Sequence, residues 1–196
     1  MVPGVELFDS GCQGASSMSK ITPEQIAELL AQDKTGRVTR ENFQRFLLNP
    51  DGGTDYTVSV DYGKTVEEMV ASGRYDWSNG NITSKNFPVN GTGVVTVALE
   101  LVHLNKAASS GAVLAHLKDN GLRPATLAEL LAFGATYPEI QREFPIVCLD
   151  KGSSWVDPGD YRDVPYLDRD GSDRELFLGW FDDGWREHCR FLAVRK

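Results

Sequence analysis

Basic residues are in short supply in this chain. Twenty Lys and Arg stand against twenty-eight Asp and Glu, a net charge of −8 at neutral pH. Such a balance repels phosphate backbones and anionic lipid, and so argues against nucleic-acid or membrane-surface binding without a local basic patch. The basic clusters present, Arg37/Arg40 and Arg190/Arg195/Lys196, are short and sit among acids. Long apolar runs are also missing, and none approaches the roughly 18 residues that a spanning helix needs. Residues 1–20 have no basic start followed by an apolar stretch, so they do not read as a secretory signal. Cysteine is sparse. Cys12, Cys148 and Cys189 are far apart and form no C-x-x-C, which disfavours structural zinc. Reduced thiols in a cytoplasmic protein are the expectation, with a Cys148–Cys189 disulfide as the alternative. The three histidines are isolated, and there is no H-E-x-x-H, G-x-S-x-G or Gly-rich phosphate loop. No metal or cofactor is expected.

What the chain does have is enough apolar residue for a core: 41% hydrophobic and 10% aromatic over 196 residues. That suits one domain with a small appendage. Residues 1–19 are Gly/Ser-rich and read as a flexible leader, with Met18 as a candidate start. "ITPEQIAELLAQ" and "VTRENFQRFLLNP" read as a helix-loop-helix appendage over 20–50, capped by Thr22 and Thr39. The pair resembles a degenerate EF-hand. Its first and last ligand positions would be Ala31 and Asn42, neither of them a carboxylate, so calcium is not expected there.

Residues 55–196 read as an α+β domain. "YTVSVDY" alternates as a strand does. "TVEEMVASG" is a short helix with Thr65 and Glu68 as a capping box and Gly73 as its stop. Residues 74–93 read as loop. Residues 94–104 read as a strand with Val95, Val97, Leu99 and Leu101 on one face. Helices are predicted at 109–120, ended by Gly121, and at 127–136, capped by Thr126 with Glu129. "FPIVCL" is a short buried strand, 150–173 an Asp/Gly/Pro-rich loop, and "RELFLGW" and "CRFLAVR" the last two strands.

Three constellations carry candidate chemistry. His188 beside Cys189 suggests a thiol nucleophile, but neighbours on a strand face opposite ways. The acids of 157–175, with Asp182 and Asp183, fit a turn-forming loop, a calcium loop or an acid/base pair. The aromatics cluster in predicted loops and strand ends, where they serve either as core plugs or as a ligand surface. The candidate ligand-binding set is Tyr75, Trp77, Trp155, Asp157, Tyr161, Tyr166, Phe181, Asp182, Asp183 and Trp185. No catalytic or metal-ligating residue is singled out.

"GLRPATLAELLAF" (121–133) resembles the R-L-P-T-x-x-E segment of the C-type-lectin-like branch that includes formylglycine-generating factors and related bacterial modules. "SSW" (153–155) is similar to a loop segment of those modules, and "W-x5-FLAVRK" to their closing strand. The resemblance covers roughly 92–196. It implies a mixed domain with two helices and a mostly antiparallel sheet, preceded here by the small N-terminal helical pair. The chain departs from each chemistry of that branch. Cys148 and Cys189 are 41 positions apart where the oxidases use two close cysteines. The His-rich iron site and the E-P-N or Q-P-D calcium motif are absent. The expected function is therefore a non-catalytic module binding an unidentified protein or small molecule through loops 74–92 and 150–173 and the turn 181–188. That expectation includes a variable protein of a diversity-generating system. The alternatives are a thiol- or metal-dependent enzyme, or an assembly protein that oligomerises through the N-terminal helices.

Overall fold

The run Phe191-Leu-Ala-Val194 sets the centre of the fold. All four residues are buried. Phe191 and Ala193 enter one core cluster, Leu192 and Val194 another. A strand buried on both faces reads as an unbroken apolar run, because each successive side chain meets a different core. This last strand, β11 (Arg190–Arg195), pairs antiparallel with β3 (Val94–Val102) and β5 (Leu122–Pro124), and parallel with β6 (Ile146–Val147).

The structure, a computed structural model, describes residues 55–196. Expectations for the leader, Cys12 and the helix pair lie outside the described residues. The large sheet continues outward on both sides of β11. On one side, β3 pairs with β1 (Asp55–Asp61). On the other, β6 pairs with β8 (Arg162–Asp170), β8 with β9 (Asp173–Trp180), and β9 in parallel with β2 (Trp77–Ser78). A short β7 (Trp155–Val156) lies on the free length of β8, and β4 (Ala108–Ser109) and β10 (Gly184–Trp185) form a separate ribbon. The sheet is mixed and mostly antiparallel.

Helices cover both faces. α1 (Val66–Gly73) and α3 (Leu127–Thr136) bury Val66, Met69, Leu130, Leu131 and Phe133 in the first cluster. α2 (Ser110–Asp119) buries Val113 and Leu117 in the second. Among the described residues there are three α-helices, one more than the resemblance implies, because the short helix at 66 has its own capping box and a buried stripe against the first cluster. Thr65 and Glu68 close that box, and Thr126 and Glu129 close the one on α3. Glu129 also takes a bidentate ion pair from Arg123 at 2.7 and 2.9 Å, with its own side chain only 1% exposed.

Gly73 does not end α1 by adopting the left-handed conformation. Arg74 does, at φ 49°. Gly73 is instead required for space, since a Cβ there would collide with the Tyr75 ring, and the same ring presses on Gly134. Tyr75 thus lies in a slot between α1 and α3. Arg174 lies over its ring at 5.0 Å and donates to the carbonyls of Gly73 and Gly134 at 2.8 and 2.7 Å.

Two further expectations are corrected. Residues 162–170 are not loop: β8 pairs with β9 from Asp163↔Trp180 to Asp170↔Asp173, with Gly171 at the tip at φ 57°. Pro165 and the flanking acids obscured the alternation that buries Val164 and Leu167 on opposite clusters. The stripe expected from Val95 begins at Val97, since Val94 and Val95 are exposed and no described residue covers them.

Candidate functional site

Strand alternation sorts the candidate residues onto two faces of the β8–β9 hairpin. Side chains directly opposite each other on paired strands share a face. Tyr166 pairs with Phe177, and their rings stack at 5.4 Å. This face joins the second core cluster, through Val164. Asp163 pairs with Trp180 on one side and with Trp155 on the other. That row lies on the opposite face, shared with Leu167 and Leu176 of the first cluster. One continuous ligand surface over both loops is therefore not what the fold builds.

The face of Tyr166 carries an aromatic line, packed except at its outer end, where Trp77 is 45% exposed. Trp77 meets Phe177 at 4.9 Å, Phe177 meets Tyr166, Tyr166 meets Trp185 at 6.2 Å, and Trp185 meets buried Phe191 at 6.4 Å. Trp185 donates its indole N–H to Ser110 Oγ at 2.8 Å, and Ser110 Oγ donates to the Phe181 carbonyl. The Phe181 ring lies under Arg162, whose guanidinium is 5.3 Å from its centre. Trp185, Tyr166 and Phe181 are half-buried plugs of the second cluster. Burial, ahead of the charge of Asp168, pushes the Tyr166 hydroxyl up to about 12. Tyr75 is a plug of the first cluster, and its buried hydroxyl has no hydrogen-bond partner among the described residues. Asp182 and Asp183 are exposed in the turn between β9 and β10.

The opposite face is open. Tyr161 and Trp180 are 54% and 50% exposed and stack at 4.9 Å with their planes 17° apart. Trp155 is half-buried at the edge of the first cluster. Asp157 shapes the turn that presents Tyr161: its Oδ1 accepts from the N–H groups of Gly159 and Tyr161 at 2.8 and 2.9 Å. Such side-chain turns are the ordinary work of aspartate in loops. Between the two tryptophans lies Asp163, only 7% exposed. Burial, then the charge of Asp157, raises its carboxyl above the usual carboxylate range.

Trp180 and Asp163 are functional candidates absent from the set read from the sequence. Their signal was the two-residue alternation of "YRDVPYL" against "LFLGW". It was readable only once Pro165 was allowed inside a strand, a position that usually argues against one.

The remaining chemistry is quiet. Cys148 and Cys189 are free and buried, and they belong to different core clusters. The Cys148 thiol donates to the Ala125 carbonyl at 2.9 Å, and burial pushes it up to about 12. Burial also raises Cys189. A thiol so shifted is a poor nucleophile at neutral pH. Cys189 precedes β11 in a turn, buried, while His188 beside it is exposed. His188 lines an open groove of about 340 Å³ with Phe144, Pro145, Asp168 and Arg169. Among the described residues, no group of three His, Cys, Asp or Glu side chains is placed to hold a metal ion. Among them, too, no helix is long and apolar enough to cross a membrane.

No protein-family model matches the chain, and no curated protein or solved structure matches it. Function therefore has to be argued from the site.

Proposed function

We propose that the chain is a non-catalytic binding module on a C-type-lectin-like scaffold. The observation that carries this reading is the exposed Tyr161–Trp180 stack beside the half-buried Trp155 and the buried Asp163. A stable fold does not need two large aromatics half in solvent, and aromatic anchors with a recessed polar group are a common recognition pattern. The hairpin that presents them is paired along its whole length, so the surface is rigid before any ligand arrives. Two features support the scaffold: Arg123 and Pro124 end β5 and lead into a helix capped by Thr126 and Glu129, and a turn precedes the last strand. The high thiol pKa values weigh against the thiol-dependent enzyme.

The test uses the four tryptophan indole N–H resonances of the ¹⁵N-labelled protein, assigned by single Trp→Phe variants. The protein is screened against sugars, peptides, amines and carboxylic acids. Binding at this site shifts the Trp155 and Trp180 signals and leaves Trp77 and Trp185 in place. If no compound moves Trp155 or Trp180, the reading falls. The variable-protein form of the proposal makes a separate demand: relatives within one genome should differ at scattered positions within 155–188.

A further inference from the structure

We infer that the open face of the hairpin binds an organic cation, specifically a methylated ammonium group, seated over Asp163 between Trp155 and Trp180. The inference deepens the binding-module reading and rests on it.

The argument begins with Asp163. It is buried to more than nine-tenths, yet its carboxylate has no hydrogen bond and no ion pair among the described residues. Buried carboxylates are normally paired, because an uncompensated one is costly. The side-chain atoms that lack a partner and are also sealed from solvent are Tyr75 Oη and Arg174 Nε. The carboxylate oxygens of Asp163 are not among them, so they are unpartnered and still touch solvent. The small opening left to this residue ends on its charge. Among the described residues no basic side chain answers it, and the charge that acts on it is a second carboxylate, Asp157. Arg162, its neighbour in sequence, lies on the other face against Phe181.

The walls fit the floor. Trp155 and Trp180 are the direct cross-strand partners of Asp163 on its two sides. Strands lie about 4.8 Å apart, so the two tryptophan positions are about 9–10 Å apart. A cation held above the Asp163 carboxylate would be flanked by both indoles, the arrangement that a cation–π contact needs. Tyr161 stacks on Trp180 and adds a third aromatic while holding that indole in place. Aromatic walls with an acid at the base suit a methylated ammonium, which is bulky, weakly hydrated and unable to donate several hydrogen bonds. The chain's net charge of −8 favours the approach of a cation. A sugar would also stack on the tryptophans, but it has no need of an unpaired carboxylate.

The group could arrive on a free small molecule or on a trimethyl-lysine side chain, and the experiment separates the two. Choline, its neutral carbon isostere 3,3-dimethylbutan-1-ol, and a short trimethyl-lysine peptide with its unmodified counterpart are titrated into the ¹⁵N-labelled full chain. Shifts at the Trp155 and Trp180 indoles are followed. The expected result is choline binding about tenfold or more tighter than the isostere. Asp163→Asn should weaken choline severalfold while leaving the isostere contact unchanged, since the carboxylate acts only on the cation. Trp180→Ala should remove both, with unchanged circular dichroism showing that the fold persists. A peptide that binds tighter than choline, only when trimethylated, identifies a protein source; equal binding identifies a free cation. Equal affinity for choline and isostere, or a choline affinity left unchanged by Asp163→Asn, overturns the inference. If only neutral compounds move Trp155 and Trp180, the cation is wrong and the binding module stands. If nothing moves them, both fall.

Discussion

Trp185 and Ser110 are 75 residues apart in sequence and joined by a 2.8 Å hydrogen bond. That bond ties β10 to the start of α2 and anchors Trp185 against the second core cluster. Ser110→Ala leaves the indole N–H unpaired in a half-buried site and should cost about 1 kcal/mol. Urea unfolding measures it. Trp180→Ala, at an exposed position, should change stability by less. If the order is reversed, the division into a packed face and an open face is wrong.

Arg174 holds two helix ends at once. Its guanidinium reaches the Gly73 and Gly134 carbonyls and Gln141 Oε1, with no carboxylate paired to it among the described residues. A cation is favoured at helix C-termini, which offsets part of its desolvation. Arg174→Met should destabilise by about 3 kcal/mol by leaving buried carbonyls unpaired. Arg174→Lys should recover little, because one ammonium cannot span the fork of the guanidinium. Full stability in the lysine variant would refute this role.

The Arg123–Glu129 pair should respond unequally to its two deletions. Glu129 is 1% exposed, whereas Arg123 is 39% exposed and can be hydrated when unpaired. Arg123→Ala strands a buried carboxylate and should cost about 3 kcal/mol or more. Glu129→Gln keeps an acceptor for the Thr126 N–H and leaves a cation near water, so it should cost about half as much. Equal losses in chemical denaturation would contradict the asymmetry.

Asp163 makes stability depend on pH in an unusual direction for an acid. Its folded pKa is raised, so the folded state binds the proton more tightly than the unfolded chain does. Stability contributed by this group therefore falls as pH rises through the carboxylate range, and the penalty is complete above the folded pKa. Asp163→Asn should raise Tm at neutral pH by about 2–4 °C per kcal/mol relieved, with the gain disappearing in acid. A lower Tm at neutral pH would show that the carboxylate is stabilising.

Both core thiols should resist alkylation. In a Cys12→Ser variant, iodoacetamide at mild alkaline pH should leave Cys148 and Cys189 unmodified until denaturant is added, since both are buried with raised pKa values. Fast labelling of Cys189 in the native protein would reopen the thiol-enzyme alternative.

Local signals carried much of the fold into the sequence. Thr65 with Glu68 and Thr126 with Glu129 are capping boxes built from residues three apart, and both helices start where those residues stand. The run "FLAV" is buried on both faces, as an unbroken apolar strand should be. The site was much less legible. Tyr75, Tyr166 and Trp185 share the composition of a ligand surface, and each is a core plug. Aromatic chemistry is the same in both roles, and only burial separates them.

What the sequence determined alone was whatever depends on neighbours along the chain: helix starts, apolar strands, the α+β class, and a charge balance hostile to polyanions. What the tertiary structure decided was which side chains share a face. Asp163 stands between Trp155 and Trp180 because three successive strands, β7, β8 and β9, meet in one register. Shifting any of them by one residue would turn its side chain to the opposite face. The tight turn at Gly171 fixes the β8–β9 register locally, but which face of the hairpin is buried and which stays open is decided by the two cores packed against it, and no local stretch of sequence encodes that.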